Sequence, residues 1–156
     1  MRESGLRVCF VCTGNICRSP MAALVFEEHV RRAGLAGVVQ VSSAGTGSWH
    51  VGDGADERTV RVLAREGYPV EHVAALLDEE HLDADLLVAL DSGHARELRR
   101  LVGGDRVRLL RDFDPDAGED RDVPDPYYGG DEGFDEVLAM VEAAVPGLLG
   151  WVRERL

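Results

Sequence analysis

Leu6–Cys12 (LRVCFVC) is a short, almost wholly apolar run that stops at Thr13-Gly14-Asn15. A run this short and this apolar reads as a buried strand. Just beyond it, Ser19-Pro20 is a good helix start, with Ser suited to the cap and Pro to the first helical position. Ala22, Val25, Phe26, Val30 and Ala33 then recur at helical spacing, and Gly34 closes the stripe. A buried strand feeding an amphipathic helix is the first half of a right-handed βαβ unit. It commits the chain to a parallel sheet with helices on its faces.

The remainder repeats the alternation. Residues 38–41 read as a second strand, 53–67 as a helix carrying Ala55, Val60, Leu63 and Ala64, and 85–90 (DLLVAL) as a third, buried strand. A helix follows through Ala95, Leu98 and Leu101, then a fourth strand at 107–110. Residues 112–130 form a long acidic loop holding three of the six prolines, a length that inside a compact domain marks function or disorder. A last helix is expected over 132–155, with Phe134, Val137, Leu138, Val141, Val145 and Leu148 on one side and Pro146 kinking or restarting it. No internal repeat or linker interrupts residues 1–156, which read as one three-layer α/β domain. In such sheets ligands sit beyond the carboxyl ends of the strands, where Cys12 falls.

Charge narrows the partners. Against 29 acidic residues stand 17 basic ones, every one of them Arg, for a net charge of −12. Such a field repels nucleic acid, and it leaves the capture of any anionic substrate to a local device. No apolar run approaches the ~20 residues needed to cross a bilayer, and residues 1–7 lack the uninterrupted apolar stretch of a signal peptide. The expected setting is the cytoplasm, with no membrane or nucleic-acid partner; export by a route without a cleavable signal is compatible with the same residues. Cys9, Cys12 and Cys17 are an odd, tightly clustered set. That is a poor disulfide framework and suits a reducing compartment, where such thiols are more often catalytic or metal-binding. No His stands near them in sequence, so no metal or other cofactor is expected.

The stretch Cys12-Thr13-Gly14-Asn15-Ile16-Cys17-Arg18-Ser19-Pro20 carries the chemistry. Between a strand and a helix start, its backbone N–H groups can converge on one point, an anion nest reinforced by the positive end of the helix. Gly14 and Asn15 are residue types that tolerate the positive φ of a tight loop. Arg18 offers a planar fork matched to two oxygens of a phosphate-like group. Amides, helix end and guanidinium all stabilise negative charge on the sulfur of Cys12, which is expected to be a thiolate at neutral pH. A sulfur nucleophile beneath a tetrahedral oxyanion implies displacement at phosphorus through a thiophosphoryl intermediate. Cys9, three positions earlier in the strand, reads as a small hydrophobe.

By composition Asp125 is one solvated acid among Asp112, Asp114, Asp116, Asp120 and Asp122. Two features single it out. It precedes Pro126, which holds it in extended backbone, and Tyr127 and Tyr128 follow. A carboxyl beside a bound dianion keeps its proton, as a proton donor needs.

VCFVCTGNICRSPMA, SSAGTGSWH, LLVALD and DPYYG together resemble the low-molecular-weight protein tyrosine phosphatases, the bacterial branch in particular, over essentially the whole chain. The resemblance implies a four-stranded parallel sheet flanked by helices, a phosphate loop between strand one and helix one, no metal, and hydrolysis of phosphotyrosine. By position it makes Cys12 the nucleophile, Arg18 the phosphate clamp and Asp125 the general acid. Thr13, Gly14, Asn15, Ile16, Cys17 and Ser19 become the substrate-binding loop, with the Ser19 hydroxyl on the thiolate. Asn15, Ser43 and His72 become the network holding the loop in shape, and Trp49, Tyr127 and Tyr128 the walls of an aromatic slot. The family's frequent Arg shortly after the equivalent of His72 is Ala75 here. A monomer acting on tyrosine-phosphorylated protein, with phosphate or vanadate as ligands, is the implied assembly.

Two other functions compete. Arsenate reduction on the same fold passes oxidation along two further cysteines well downstream, and none follows Cys17. A phosphotyrosine-binding module without turnover would tolerate loss of Cys12 or Asp125, and both are present. Elsewhere the readings are plain. His29, His50, His81 and His94 are taken as solvated or half-buried, Arg96, Arg99 and Arg100 as a wet helix face, and Asp56-Glu57-Arg58 as the exposed first turn of a helix. Trp49 is expected to be exposed and Trp151 to be core. Cys17 lies near enough to Cys12 in the loop for a reversible disulfide that would protect the nucleophile.

Overall fold

The computed structural model describes residues 5–156; residues 1–4, part of the segment read above for a signal peptide, lie outside them. The chain runs β1 (Leu6–Cys12), α1 (Arg18–Arg32), β2 (Val39–Gly45), α2 (Glu57–Arg65), α3 (Glu79–Leu82), β3 (Leu86–Ala89), α4 (Ser92–Val102), β4 (Val107–Leu109) and α5 (Asp131–Arg155). The four strands are parallel, in the order β2-β1-β3-β4. β1 therefore pairs on both edges, Val8 facing Val41 of β2 and Leu86 of β3. The chain leaves β1 toward one edge of the sheet and builds the other edge later. That reversal opens a crevice at the carboxyl end of β1, beside Cys12.

Alternation along β1 feeds two cores. Val8, Phe10 and Cys12 join Met21 and Phe26 of α1 with Phe134, Val141 and Leu148 of α5. Cys9 and Val11 face Leu87, Ala95, Leu98 and Val107 on the side of α4. Each fully buried Phe or Leu contributes roughly 1.5–3 kcal/mol, and Phe10 meets Phe26 edge-on at 5.8 Å. Both faces of β1 are thus pinned, and so is the loop that leaves it.

Several boundaries differ from the sequence reading, each for a physical reason. α1 begins at Arg18 with Cys17 as its cap, without a side-chain capping bond; Ser19 and Pro20 already lie in the first turn. The Ser19 hydroxyl is engaged elsewhere, as described below. β2 reaches Gly45, well beyond 38–41. It is an edge strand, and its polar Gln40, Ser42 and Ser43 conceal the pattern. α2 spans only nine residues, capped by Asp56, whose carboxylate accepts the Arg58 N–H. The four-residue α3, capped by Asp78, was not anticipated, and Leu110–Phe113 is a tight 3₁₀ turn following β4. α5 runs unbroken through Pro146. That residue is exposed, while Val141, Ala144, Val145, Leu148 and Val152 around it are buried and hold the helix despite one missing hydrogen bond. Trp151 is half-buried against the core, its ring covered by Arg155 at 4.0 Å. Among the described residues no helix is long and apolar enough to cross a membrane.

Candidate active site

Residues 12–18 curl between β1 and α1 around a buried asparagine. Asn15 is inaccessible to solvent and left-handed, with φ 57°. Its Nδ2 donates to Ser19 Oγ at 2.8 Å and Ser43 Oγ at 3.0 Å, while its Oδ1 accepts from the Ala75 N–H at 2.9 Å. The Asn15 carbonyl accepts from His72 Nε2 at 2.6 Å, so the proton of this imidazole is on Nε2. Burial holds His72 below the ordinary histidine value, against the opposing effect of that carbonyl. Two further bonds run from the segment after β2, Thr46 N–H to the Cys12 carbonyl and Gly47 N–H to the Thr13 carbonyl, both 2.9 Å. Gly45 must be glycine here, because a Cβ would lie 2.7 Å from the Thr13 oxygen and 3.2 Å from the Asn15 nitrogen.

Cys12 Sγ lies 2.9 Å from Ser19 Oγ. That oxygen also accepts from Asn15, which leaves the hydroxyl proton free to be donated to the sulfur. Cys17, in contrast, is pushed up to about 12 by burial, then by negative charge at Asp56, Cys12 and Asp125. Burial likewise raises Cys9 to about 11. Neither is ionised at neutral pH.

Arg18 is buried, and its Nη1 is spent on structure: it donates to Asp91 Oδ2 at 3.0 Å and to the Val123 carbonyl at 2.8 Å. Nη2 lies 3.8 Å from Asp125 Oδ2. Asp91 caps α4 through the His94 N–H. Burial opposes its charge, yet the bond from the His94 N–H and the hydrogen bond and charge of Arg18 outweigh it and hold the carboxyl below its usual range. His94 is itself buried and depressed by that burial, hence neutral. Its Nε2 lies 2.9 Å from Thr13 Oγ1. Its Nδ1 is 3.1 Å from Asp91 Oδ1 but off the line of a hydrogen bond.

Above the loop opens a cavity of about 440 Å³. Cys12, Thr13, Gly14, Ile16, Cys17 and Arg18 form its floor, and Trp49, His50, Asp125, Tyr127 and Tyr128 its walls. Cys12 is 3% exposed, while Trp49 is 75% and Tyr128 90% exposed, so the sulfur lies at the foot of an aromatic slot. Asp125 Oδ1 accepts from the Tyr127 N–H at 3.1 Å. The loop carrying it is fastened at Val123, whose N–H donates to the Leu90 carbonyl, and at Asp122, whose carboxylate accepts from Ser92 N–H and Oγ. Asp122 is thereby committed to α4, and Asp125 is the carboxylate of that loop that lines the cavity.

Of the residues expected to bind substrate, Asn15 and Ser19 do not reach the cavity; both lie behind it, fully buried, with Ser43 and His72. Several participants were missed. His50 lines the cavity, its Nδ1 3.4 Å from Asp53. His94 and Asp91 are joined to Thr13 and Arg18. Asp56 and Arg58 are part of the surround and not a free turn: the Asp56 N–H donates to the Ile16 carbonyl at 2.9 Å. The available signal for Asp91 was its place at the end of the strand beside β1, where ligands of open sheets gather.

A cysteine sulfur at the foot of a slot, an arginine alongside and a carboxyl at its wall line one cavity. Residues 7–156 match the model of the family described as low molecular weight phosphotyrosine protein phosphatase. The chain belongs to that family. It is 59% identical to low molecular weight protein-tyrosine phosphatase A of Mycobacterium tuberculosis, over 97% of this chain and 94% of the relative. To the low molecular weight protein-tyrosine-phosphatase of Streptomyces coelicolor it is 58% identical, over 96% and 95%. The crystal structure of a protein tyrosine phosphatase from Entamoeba histolytica, with Hepes in its active site, superposes with a TM-score of 0.90 at 32% identity, covering 96% of this chain and 98% of that one. The phosphatase family's sheet and flanking helices are those described above.

Proposed function

We propose that the protein hydrolyses phosphotyrosine in protein substrates, without a metal, through a phosphocysteine on Cys12. The observation that carries this reading is the position of Cys12 Sγ at the floor of an aromatic slot, 2.9 Å from the Ser19 hydroxyl. The phosphate dianion enters the 12–18 loop, held by backbone amides and Arg18. The Cys12 thiolate attacks phosphorus as the bond to the phenol oxygen breaks, and Asp125 gives that oxygen its proton. In the second half Asp125 takes a proton from water, whose oxygen attacks the phosphocysteine. Cys12 then leaves as a thiolate, stabilised by the Ser19 hydroxyl. Asn15, Ser43 and His72 hold the loop in the shape both steps require. The depth of the slot favours a long, flat side chain over phosphoserine.

The test is Asp125→Asn, which keeps the shape and removes the proton. Tyrosine leaves as a phenol of pKa ~10, and assistance to such a group is worth on the order of 10²–10⁴-fold. Turnover of phosphotyrosine should fall by that order, and turnover of p-nitrophenyl phosphate, whose anion leaves unaided, far less. Equal losses on both would make Asp125 a positioning residue. Cys12→Ser should bind phosphotyrosine without measurable hydrolysis, and wild-type activity should persist in EDTA. Activity lost in the chelator and restored by a divalent ion would overturn the thiolate mechanism.

A further inference from the structure

Residues 124–130 carry the acid, yet few bonds tie them down. Within the stretch, Tyr127 N–H donates to Asp125 Oδ1 and Gly129 N–H to the Pro126 carbonyl. Among the described residues, the hydrogen bonds joining it to an element other than the helix that follows come from one side chain. Arg58 of α2 donates from Nη2 to the Tyr127 carbonyl at 2.9 Å and from Nη1 to the Gly129 carbonyl at 3.0 Å. The rest of its fork is held by Asp56, through Nε at 3.0 Å and Nη2 at 3.1 Å. Its flat face lies over the Phe134 ring, 4.5 Å from the centroid, and 5.6 Å from that of Tyr127. Asp56 in turn gives its own N–H to the Ile16 carbonyl of the phosphate loop.

We propose that Asp56 and Arg58 form a brace between the two loops, with Arg58 as the residue that positions the acid loop over the phosphate loop. Only an arginine fills this place. Two oxygens of a carboxylate and two backbone carbonyls are served by one planar group stacked on a ring, a geometry a lysine ammonium cannot reproduce. Arg58 touches neither the phosphate nor Cys12, so its loss should act through Asp125 and spare anion binding. The proposal rests on Asp125 being the general acid.

The experiment compares Arg58→Met and Arg58→Lys with the wild type; the lysine variant keeps the charge facing Asp56 should the methionine variant fold poorly. Hydrogen exchange followed by mass spectrometry should speed up in the peptide covering 125–130 and stay unchanged over 12–19. Turnover of phosphotyrosine should fall about tenfold, part of the range that proton transfer commands. Turnover of p-nitrophenyl phosphate should fall less than about threefold, and competitive inhibition by vanadate should be unaltered. In an Asp125→Asn background, Arg58→Lys should add almost nothing, because the group it positions is gone. Unchanged exchange over 125–130, equal losses on both substrates, or weakened vanadate inhibition would each overturn the brace. Failure of the acid assignment shows separately, as equal losses on the two substrates in Asp125→Asn alone, and the exchange measurement then still decides whether Arg58 holds the loop.

Discussion

Truncating Asn15 to Ala removes the amide around which the phosphate loop is wound. Asn15 makes three side-chain hydrogen bonds, to Ser19, Ser43 and Ala75, at 2.8, 3.0 and 2.9 Å. Each contributes about 1 kcal/mol net. The residue also sits at φ 57°, where alanine pays roughly 1 kcal/mol that asparagine largely escapes. The sum is a loss of about 4 kcal/mol. A domain is held by roughly 5–15 kcal/mol, so the variant should fold with much of its margin gone. Asn15→Gly loses the same bonds without the backbone strain and should be about 1 kcal/mol more stable than the alanine variant. Urea titrations followed by circular dichroism give both differences. kcat should fall in both variants, because nothing then directs the Ser19 proton to the Cys12 sulfur. A loss below about 1.5 kcal/mol, the size of one good hydrogen bond, or a glycine variant less stable than the alanine one, would refute the energetics. An unchanged kcat would refute the link from Asn15 to the thiolate.

His72 and His94 are held below the ordinary histidine value by burial, so the unfolded chain binds protons more readily than the folded one. The stability their neutral forms contribute is complete above pH ~6.5 and is lost as pH falls from there through the lower folded-state values; the urea midpoint should drop over that window, and less steeply in His72→Asn and His94→Asn, an unaltered slope in both disproving the assignment. Cys17 stays a thiol, raised to about 12 by burial and neighbouring negative charge, so peroxide should oxidise Cys12 first and Cys17 should then condense with the sulfenic acid, releasing water. Dithiothreitol should restore the peroxide-treated wild type and restore Cys17→Ser poorly; equal recovery would remove the protective role.

What could be read beforehand is what lies contiguous in the chain. Cys12 to Ser19 is one segment between one strand and one helix, so the loop and the place of its cysteine at the carboxyl end of β1 could be read without any tertiary information. Asp125 needed more. Asp-Pro-Tyr-Tyr is local and singled Asp125 out by its proline and tyrosines, but what separates it from Asp122 in space is where the loop is fastened, at Ser92 and Leu90. Partners from distant segments were out of reach. Asp91 meets Arg18 because β3 pairs with β1, and no local pattern states strand order. His94 looked like a half-wet helix residue until α4 brought it under Thr13. Ser19 was misassigned as a cap because a serine before proline is a sound local signal. Tertiary bonding to Asn15 and Cys12 overrode it.

The charge balance also bears on the proposed role of Asp125 as proton donor. The net charge of −12 gives a dianion no long-range attraction, and the site's own side chains do not supply it. Arg18 is matched by Asp91 at 3.0 Å, and the thiolate proposed for Cys12 would leave the floor negative. Beyond the free edge of the Arg18 fork, attraction therefore falls to the loop amides and the first turn of α1, dipoles that act only at contact. Were Asp125 ionised as well, 3.8 Å from Arg18 Nη2, it would draw on the same guanidinium and repel the incoming phosphate. A bound dianion and a charged Asp125 thus disfavour each other.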